Sequence, residues 1–404
     1  MIERPSYLQQ LLPYVDAPLV KILTGVRRCG KSSILELLAE ELKRRSIAEE
    51  RIISFRFDSL QYDAIKDYKA LYQAIAAKLT AQGRLYVFLD EVQEVADWER
   101  AVNSVMVDFD VDVYVTGSNS RMLSSEISTY LTGRYVSIHV LPLSFAEYLR
   151  FKGVYADICA PRDELKSYLR FGGFPAIHLR DYATDEAYTI VKDIYNSTIF
   201  TDIVKRNKIR RVELLERIVK FAFDNVGKTF SAKAVSDYLK SQQRKVDVET
   251  VYNYLALLEK AYILYRCPRF DLQGKEIMKT QEKFYLVDPA LKYAVLGYQP
   301  TSVAAMLENI VYLELRRRGY EVYIGKTADR EIDFVATHQN DRIYVQVSRE
   351  ITSEATAQRE YAALLNIRDN YPKYVLRTDA FAEGNYEGVK TMNIADFLLL
   401  ESFD

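Results

Sequence analysis

The sequence predicts an α/β protein: a parallel sheet near the N-terminus, a helical middle, and a second, smaller α/β unit at the C-terminal end. Residues 19–23 and 85–89 are apolar runs of strand length, the pattern of strands buried on both faces. Each leads into glycine-rich or acidic residues of the kind found where parallel strands end at a ligand. From residue 306 onward the periodicity runs helix, three strands, helix, strand. At 404 residues the chain is long enough for two or three domains. Hydrophobic residues at 49% and charged residues at 27% match a globular protein with real cores, which excludes a mostly disordered chain. Only 15 glycines exclude a collagen-like repeat. No apolar run approaches the roughly 18 residues of a membrane span, and the start Met1-Ile2-Glu3-Arg4-Pro5 has no apolar signal core. Cys29, Cys159 and Cys267 lie far apart without metal spacing, which predicts a reducing, cytoplasmic location.

The first strand leads into Gly25-Val26-Arg27-Arg28-Cys29-Gly30-Lys31-Ser32-Ser33, and Ile34, Leu35, Leu37 and Leu38 follow at helical spacing. This is G-x-x-x-x-G-K-S in its strand–loop–helix context. Gly25 and Gly30 let the backbone turn so that successive N–H groups face phosphate oxygens, and the helix N-terminus adds positive potential. Lys31 is expected to reach the β- and γ-phosphates of ATP, and Ser32 to ligate Mg2+. The second strand ends in Asp90-Glu91. Asp90 is expected in the Mg2+ shell and Glu91 is placed to polarise a water for in-line attack.

Residues 111–115 read as another buried strand running into Thr116-Gly117-Ser118-Asn119-Ser120. These small polar side chains suit either a water or γ-phosphate contact or a plain turn. Tyr130-Leu131-Thr132-Gly133-Arg134-Tyr135 follows; Arg134 is a candidate arginine finger, or an ordinary surface residue.

Together the phosphate loop, Leu89-Asp90-Glu91, Thr116-Gly117-Ser118-Asn119, Gly133-Arg134-Tyr135 and Leu141-Pro142-Leu143-Ser144-Phe145-Ala146-Glu147 resemble prokaryotic P-loop AAA+ ATPases that carry a C-terminal nuclease-like domain. Tyr168-Leu169-Arg170-Phe171-Gly172-Gly173-Phe174-Pro175 matches the lid segment of that family. The resemblance spans nearly the whole chain. It implies an AAA+ core with a helical lid, Ser118 or Asn119 as first sensor, Arg134 as a finger donated in trans within a homo-oligomer, and Arg170 or Arg180 as second sensor.

From about 164 to 225 the pattern is helical, interrupted at Gly172-Gly173-Phe174-Pro175. Residues 230–239 read as a helix capped by Ser231, residues 241–245 as a polar turn, 247–260 as a second helix and 261–266 as a strand. That order resembles a winged-helix unit, with Thr250, Asn253 and the tyrosines as groove-facing candidates and Asp247 and Glu249 opposing phosphate contact. A winged helix used only for packing or subunit contacts is the alternative.

Residues 306–318 read as a helix containing Glu308, 321–324, 330–336 and 342–348 as strands, 354–370 as a helix and 373–377 as a final strand. This resembles the restriction-endonuclase-like (PD-(D/E)xK-type) fold. The resemblance matches Glu308 and Asp333 to metal-binding acids, but Gln346-Val347-Ser348 stands where acid-x-Lys belongs. Glutamine is a weak ligand for hard cations and serine supplies no positive charge. The fold kept for binding or packing is therefore the expectation, with metal-dependent nuclease as the lesser one.

The expected division is a P-loop core at 1–155, a helical lid at 156–225, a winged-helix-like unit at 226–272 and the nuclease-like domain at 273–404. A formal net charge of −1 conceals unlike parts: residues 201–270 hold 15 basic against 8 acidic side chains. DNA is accordingly an expected partner of that segment. Mg2+-dependent ATP hydrolysis on or near DNA is the leading functional expectation, a nucleotide-gated assembly switch with little turnover the second.

Overall fold

A computed structural model describes residues 2–79, 83–123, 130–241, 246–272, 274, 276–327, 330–351, 353–379 and 383–403. The chain divides into two compact units, Met1–Val140 with Lys260–Tyr262, and Leu141–Glu259 with Ile263–Asp404.

The first unit contains α1 (Pro5–Leu11), β1 (Val20–Thr24), α2 (Lys31–Arg44), β2 (Ile52–Arg56), α3 (Tyr68–Ala76), β3 (Leu85–Asp90), α4 (Trp98–Asp108), β4 (Val111–Gly117) and β5 (Tyr135–His139). Its sheet is parallel throughout, in the order β2-β3-β4-β1-β5. Parallel neighbours need crossovers, which α2, α3 and α4 supply. β1 and β3 are buried along their whole length, which is why, apart from Lys21, they read as apolar runs. β2 was not anticipated: at the sheet edge Ile53 and Phe55 face inward while Ser54 and Arg56 are exposed, so its signal is a short alternation. The core joins Ile22, Val87, Leu89, Val113 and Val115 to Trp98, Val102 and Val105 of α4.

One charged side chain breaks the apolar run of β1. Lys21 is fully buried and pairs with the buried Asp112 of β4, with Ala17 O as a second acceptor at 3.0 Å. Asp112 also accepts the Tyr114 hydroxyl at 2.8 Å and the Asp16 N–H at 2.9 Å. Burial pulls the Lys21 pKa down, opposed by the Asp112 carboxylate.

The second unit begins with α5 (Phe145–Lys152), α6 (Pro161–Phe171), α7 (Thr184–Ser197), which continues as a π-helix (Thr198–Lys205), α8 (Val212–Asp224), α9 (Ala232–Ser241) and α10 (Val248–Lys260). It continues with β6 (Leu264–Asp271), β7 (Glu276–Leu286), α11 (Pro289–Leu296), α12 (Val303–Arg317), β8 (Glu321–Lys326), β9 (Glu331–His338) and β10 (Asp341–Val347). It closes with α13 (Glu354–Leu365), β11 (Lys373–Arg377), β12 (Gly384–Tyr386), β13 (Val389–Asn393) and α14 (Ile394–Leu399). The Ser144-Phe145-Ala146-Glu147 motif starts α5 as a capping box: Ser144 Oγ accepts the Glu147 N–H at 3.1 Å and the Glu147 carboxylate accepts the Ser144 N–H at 2.8 Å. Ser231 likewise caps α9, accepting the Ala234 N–H.

The eight strands form one mixed sheet, β12-β13-β11-β10-β9-β8-β6-β7. β8, β9 and β10 are antiparallel neighbours, while β10–β11 and β11–β13 are parallel. The expected boundary at 272/273 falls inside the β6–β7 hairpin, and β6 pairs with β8, so the hairpin and the C-terminal strands share one sheet. The strand expected at 261–266 begins at Leu264 and runs to Asp271. The helix expected to reach 370 ends at Leu365, and β11 is not the last strand, since β12 and β13 follow. The polar turn expected at 241–245 lies, from 242 on, outside the described residues.

The Gly172-Gly173-Phe174-Pro175 turn is built around a buried acid. Asp288 Oδ2 accepts the Gly173 N–H at 2.6 Å and Oδ1 caps α11 through the Ala290 N–H at 2.8 Å. A Cβ on Gly172, whose φ is +68°, would stand 1.8 Å from Asp288 Oδ1. His178 Nε2 lies 2.9 Å from Gly172 O. Burial pushes Asp288 up to about 7 and pulls His178 down to about 4. The raised acid stabilises the unit below its unfolded pKa near 4 and loses that contribution as pH rises through 7. The depressed histidine acts oppositely: its contribution is present above about 6.5 and is lost as pH falls through 4. Between pH 4.5 and 6.5 the two nearly cancel. His178→Gln is therefore expected to unmask the acid, with stability falling as pH rises by up to about 1.4 kcal/mol per pH unit. Urea unfolding of this unit at pH 4.5 and 6.5 checks this, and a variant more stable at 6.5 contradicts it.

Among the described residues, no helix is long and apolar enough to cross a membrane.

Candidate nucleotide site

Parallel register brings the C-terminal ends of β1, β3 and β4 to one sheet edge, with β4 between the other two. The phosphate loop, Asp90-Glu91 and the Thr116–Asn119 segment converge there.

The loop is shaped for phosphate. A Cβ on Gly25 would stand 2.1 Å from Val140 O, so only glycine fits. Gly30 is left-handed (φ 99°, ψ 21°) and precedes α2 without a side-chain cap, which leaves the first amides of α2 for an anion. Val26 and Cys29 are buried, Arg27 is half-buried, and Arg28 is exposed with φ 66°. Ser32 and Ser33 follow Lys31 in the first turn, both half-buried. Lys31 is 3% exposed; its Nζ donates to Gly25 O and Val26 O, each at 3.1 Å, and lies 3.8 Å from Glu91 Oε1. Arg4, 2% exposed, braces the loop from α1 by donating to Cys29 O at 2.8 Å. The opening residues carry no pattern that marks this contact in advance.

Asp90 is buried and hydrogen-bonded by the Thr116 hydroxyl, with the Ser32 hydroxyl close enough to favour its charged form. Burial raises its pKa, and the two hydroxyls oppose the rise. Thr116 Oγ1 also accepts the Glu91 N–H at 2.9 Å, so one hydroxyl fixes both acids. Glu91 has left-handed backbone (φ 55°, ψ 44°), uncommon for a non-glycine residue. The Ser32 hydroxyl beside the Asp90 carboxylate is an oxygen donor set suited to Mg2+. Ser118 and Asn119 are both buried just beyond β4. Arg134 is not folded onto the loop: its guanidinium is exposed and donates to Asn103 Oδ1 at 3.4 Å. The two second-sensor candidates lie in the second unit, Arg170 over the rings of Phe171 and Tyr298 and Arg180 over Tyr182. Sequence reasoning missed Arg4 and Gln93, and quoted Thr116 only within its motif.

Burial pushes the Cys29 thiol up, and Cys267 likewise, whereas Cys159 is exposed. A thiol reagent at pH 8 is expected to label Cys159 alone in native protein and all three cysteines after unfolding. Rapid native labelling of Cys29, read by peptide mapping, contradicts the loop packing.

In the second unit Glu308, Asp333 and Gln346 come together with three residues the sequence did not single out. Lys283 Nζ of β7 lies 2.9 Å from Glu331 Oε1, 3.6 Å from Glu308 Oε2 and 3.9 Å from Asp333 Oδ1. Asp333 Oδ2 accepts the Val347 N–H at 2.8 Å, and Gln346 bridges the Asp333 N–H to Glu360 of α13. Burial works against the Lys283 charge, but Glu308, Asp333 and Glu331 together push its pKa up. The only local sign was a lysine directly before the apolar Phe284-Tyr285-Leu286. Of the groove-facing candidates, Tyr254 is core, Thr250 is bonded to Asp247, and Tyr252 and Asn253 are exposed.

A five-stranded parallel sheet in this order, with a phosphate loop after β1 and an acid pair after β3, defines a P-loop nucleotide-binding protein of the AAA+ class. Residues 17–149 match the family described as AAA domain, and residues 162–302 match a domain of unknown function, DUF8612. The chain is 36% identical over 400 residues to a Haemophilus influenzae protein described as uncharacterized, covering 99% of each chain. It is 31% identical over 364 residues to the uncharacterized protein MJ1544 of Methanocaldococcus jannaschii, covering 85% of this chain and 77% of that one. The chain carries an AAA domain and belongs to one family with the Haemophilus relative, which it matches over 99% of its length. Among solved structures, the Orc1 protein of Aeropyrum pernix in complex with DNA is similar at 13% identity and a TM-score of 0.36, covering 73% of this chain and 92% of that chain.

Proposed function

We propose that this protein binds ATP with Mg2+ at the phosphate loop and hydrolyses it. The observation that carries the reading is the buried Lys31 of the phosphate loop, its Nζ 3.8 Å from Glu91 Oε1, with the buried Asp90 next to Glu91 at the same strand end. Bound Mg2+ neutralises charge on the phosphate oxygens. The chain's own residues do the rest. The loop amides and Lys31 hold the phosphates, with Lys31 exchanging the carbonyls of Gly25 and Val26 for phosphate oxygens. Ser32 and Asp90 hold the metal. Glu91 takes a proton from the attacking water, and Ser118 or Asn119 contacts the γ-phosphate. Arg134, exposed on its own chain, is the finger for a second copy. Steady-state phosphate release tests this: turnover is expected with Mg2+, at least ~100-fold less in Glu91→Gln, and none with EDTA. Equal rates for wild type and Glu91→Gln would sink it.

We further propose DNA as the partner of residues 201–270, read as the end of a helical lid followed by a winged-helix unit. Lys205, Lys208, Arg210 and Arg211 are exposed within seven residues ahead of α8, which supports the reading. Binding to duplex DNA is expected to weaken steeply between 50 and 200 mM salt, roughly as the number of phosphates contacted. Salt-independent binding, or none, contradicts it.

The C-terminal unit we read as a restriction-endonuclease-like fold without nuclease chemistry. The Lys283 ammonium among Glu308, Glu331 and Asp333 supports this, because it supplies the positive charge those acids need. Plasmid incubated with Mg2+ is expected to stay intact, and cleavage lost in Asp333→Ala contradicts the reading.

A further inference from the structure

We propose that Gln93 is a positioning residue that holds the Glu91 carboxylate for the water attacking the γ-phosphate. The proposal rests on the hydrolytic reading above and deepens it. The left-handed backbone of Glu91 sends the chain into a single 3-10 turn, Val92–Glu94, closed by the Glu94 N–H on Glu91 O at 3.1 Å. Val92 is buried and anchors the turn. The turn returns Gln93 to the carboxylate two residues before it, where Nε2 donates to Glu91 Oε2 at 2.5 Å. The other carboxylate oxygen, Oε1, is the one 3.8 Å from Lys31 Nζ, facing the phosphate loop. The amide thus fixes one oxygen and leaves its twin aimed at the reaction.

Two further observations mark a built arrangement. The carboxamide oxygen of Gln93 is buried and meets no donor among the described residues. A buried acceptor of this kind calls for a partner, and beside a general base it suits a hydrogen of the attacking water. Gly117 at the end of β4 makes room for both Met122 and Gln93: a Cβ there would stand 1.5 Å from Met122 Sδ and 2.6 Å from Gln93 Oε1. A free glutamate samples several rotamers, so locking it in one geometry speeds proton transfer without changing substrate affinity.

Gln93→Leu removes the donor and keeps the bulk, while Gln93→Glu keeps the shape and sets a second carboxylate against Glu91. Both are expected to lower kcat for MgATP by about 10- to 100-fold with KM within about twofold, the thermal midpoint staying unchanged in Gln93→Leu and falling in Gln93→Glu, where two carboxylates meet. If one variant fails to fold, the other carries the test. Wild-type-like kcat in either folded variant overturns the proposal, as does a parallel loss of kcat, affinity and stability, which marks plain packing. Wild-type turnover no faster than Glu91→Gln overturns the hydrolytic reading and this proposal with it. A turning-over wild type matched by Gln93→Leu overturns this proposal alone.

Discussion

Lys31→Ala is expected to weaken ATP binding by about 100-fold or more while the first unit stays folded. The lysine is buried under the loop, with its three donors on Gly25 O, Val26 O and the Glu91 side. No other side chain of the loop brings a buried cation to the phosphates, since Arg27 is half-buried and Arg28 exposed. Charge-assisted hydrogen bonds to phosphate are worth about 1.5–3 kcal/mol each, and losing one or two accounts for that factor. Stability should change little, because the two carbonyls and Glu91 lie at a strand edge that water reaches once the side chain is gone. Titration of a fluorescent ATP analogue, alongside a thermal melt, separates the two effects. Undiminished affinity would remove the phosphate loop from the account.

The largest stability effect is expected from Lys21→Ala. Its ammonium lies between the central strands β1 and β4, paired with Asp112 and 5.2 Å above the Tyr114 ring. Removing it strands a buried carboxylate, at a cost of about 3–5 kcal/mol. Asp112→Asn should cost a similar amount by stranding the ammonium. The double substitution Lys21→Ala with Asp112→Asn should cost far less than the sum, because no unpaired charge remains. Urea unfolding of the four proteins checks the coupling; additive losses contradict a buried pair.

What could be read in the sequence was what is local along the chain. The phosphate loop and Asp90-Glu91 each combine strand, turn and chemistry within ten residues or so, and the sheet brings them to one edge on either side of β4. The Lys21–Asp112 pair was illegible because its partners are 91 residues apart, joined only by strand register. Gln93 escaped notice because its role depends on the left-handed turn at Glu91, which sequence does not announce. The Gly172-Gly173 turn was recognised as a turn, but the reason for two glycines is Asp288, 115 residues from Gly173. The Lys283 ammonium among Glu308, Glu331 and Asp333 was illegible because β7 reaches those acids only through the sheet and the packing of α12.

The central claim is that the first unit both holds ATP and breaks its γ-phosphate bond through Glu91. The direct measurement is a single turnover: protein in excess over MgATP, quenched at intervals, with bound nucleotide identified. Wild type is expected to convert its bound ATP to ADP and phosphate, while Glu91→Gln binds as tightly and retains ATP intact. Wild type that binds ATP and leaves it uncut on the same time course as Glu91→Gln contradicts the account.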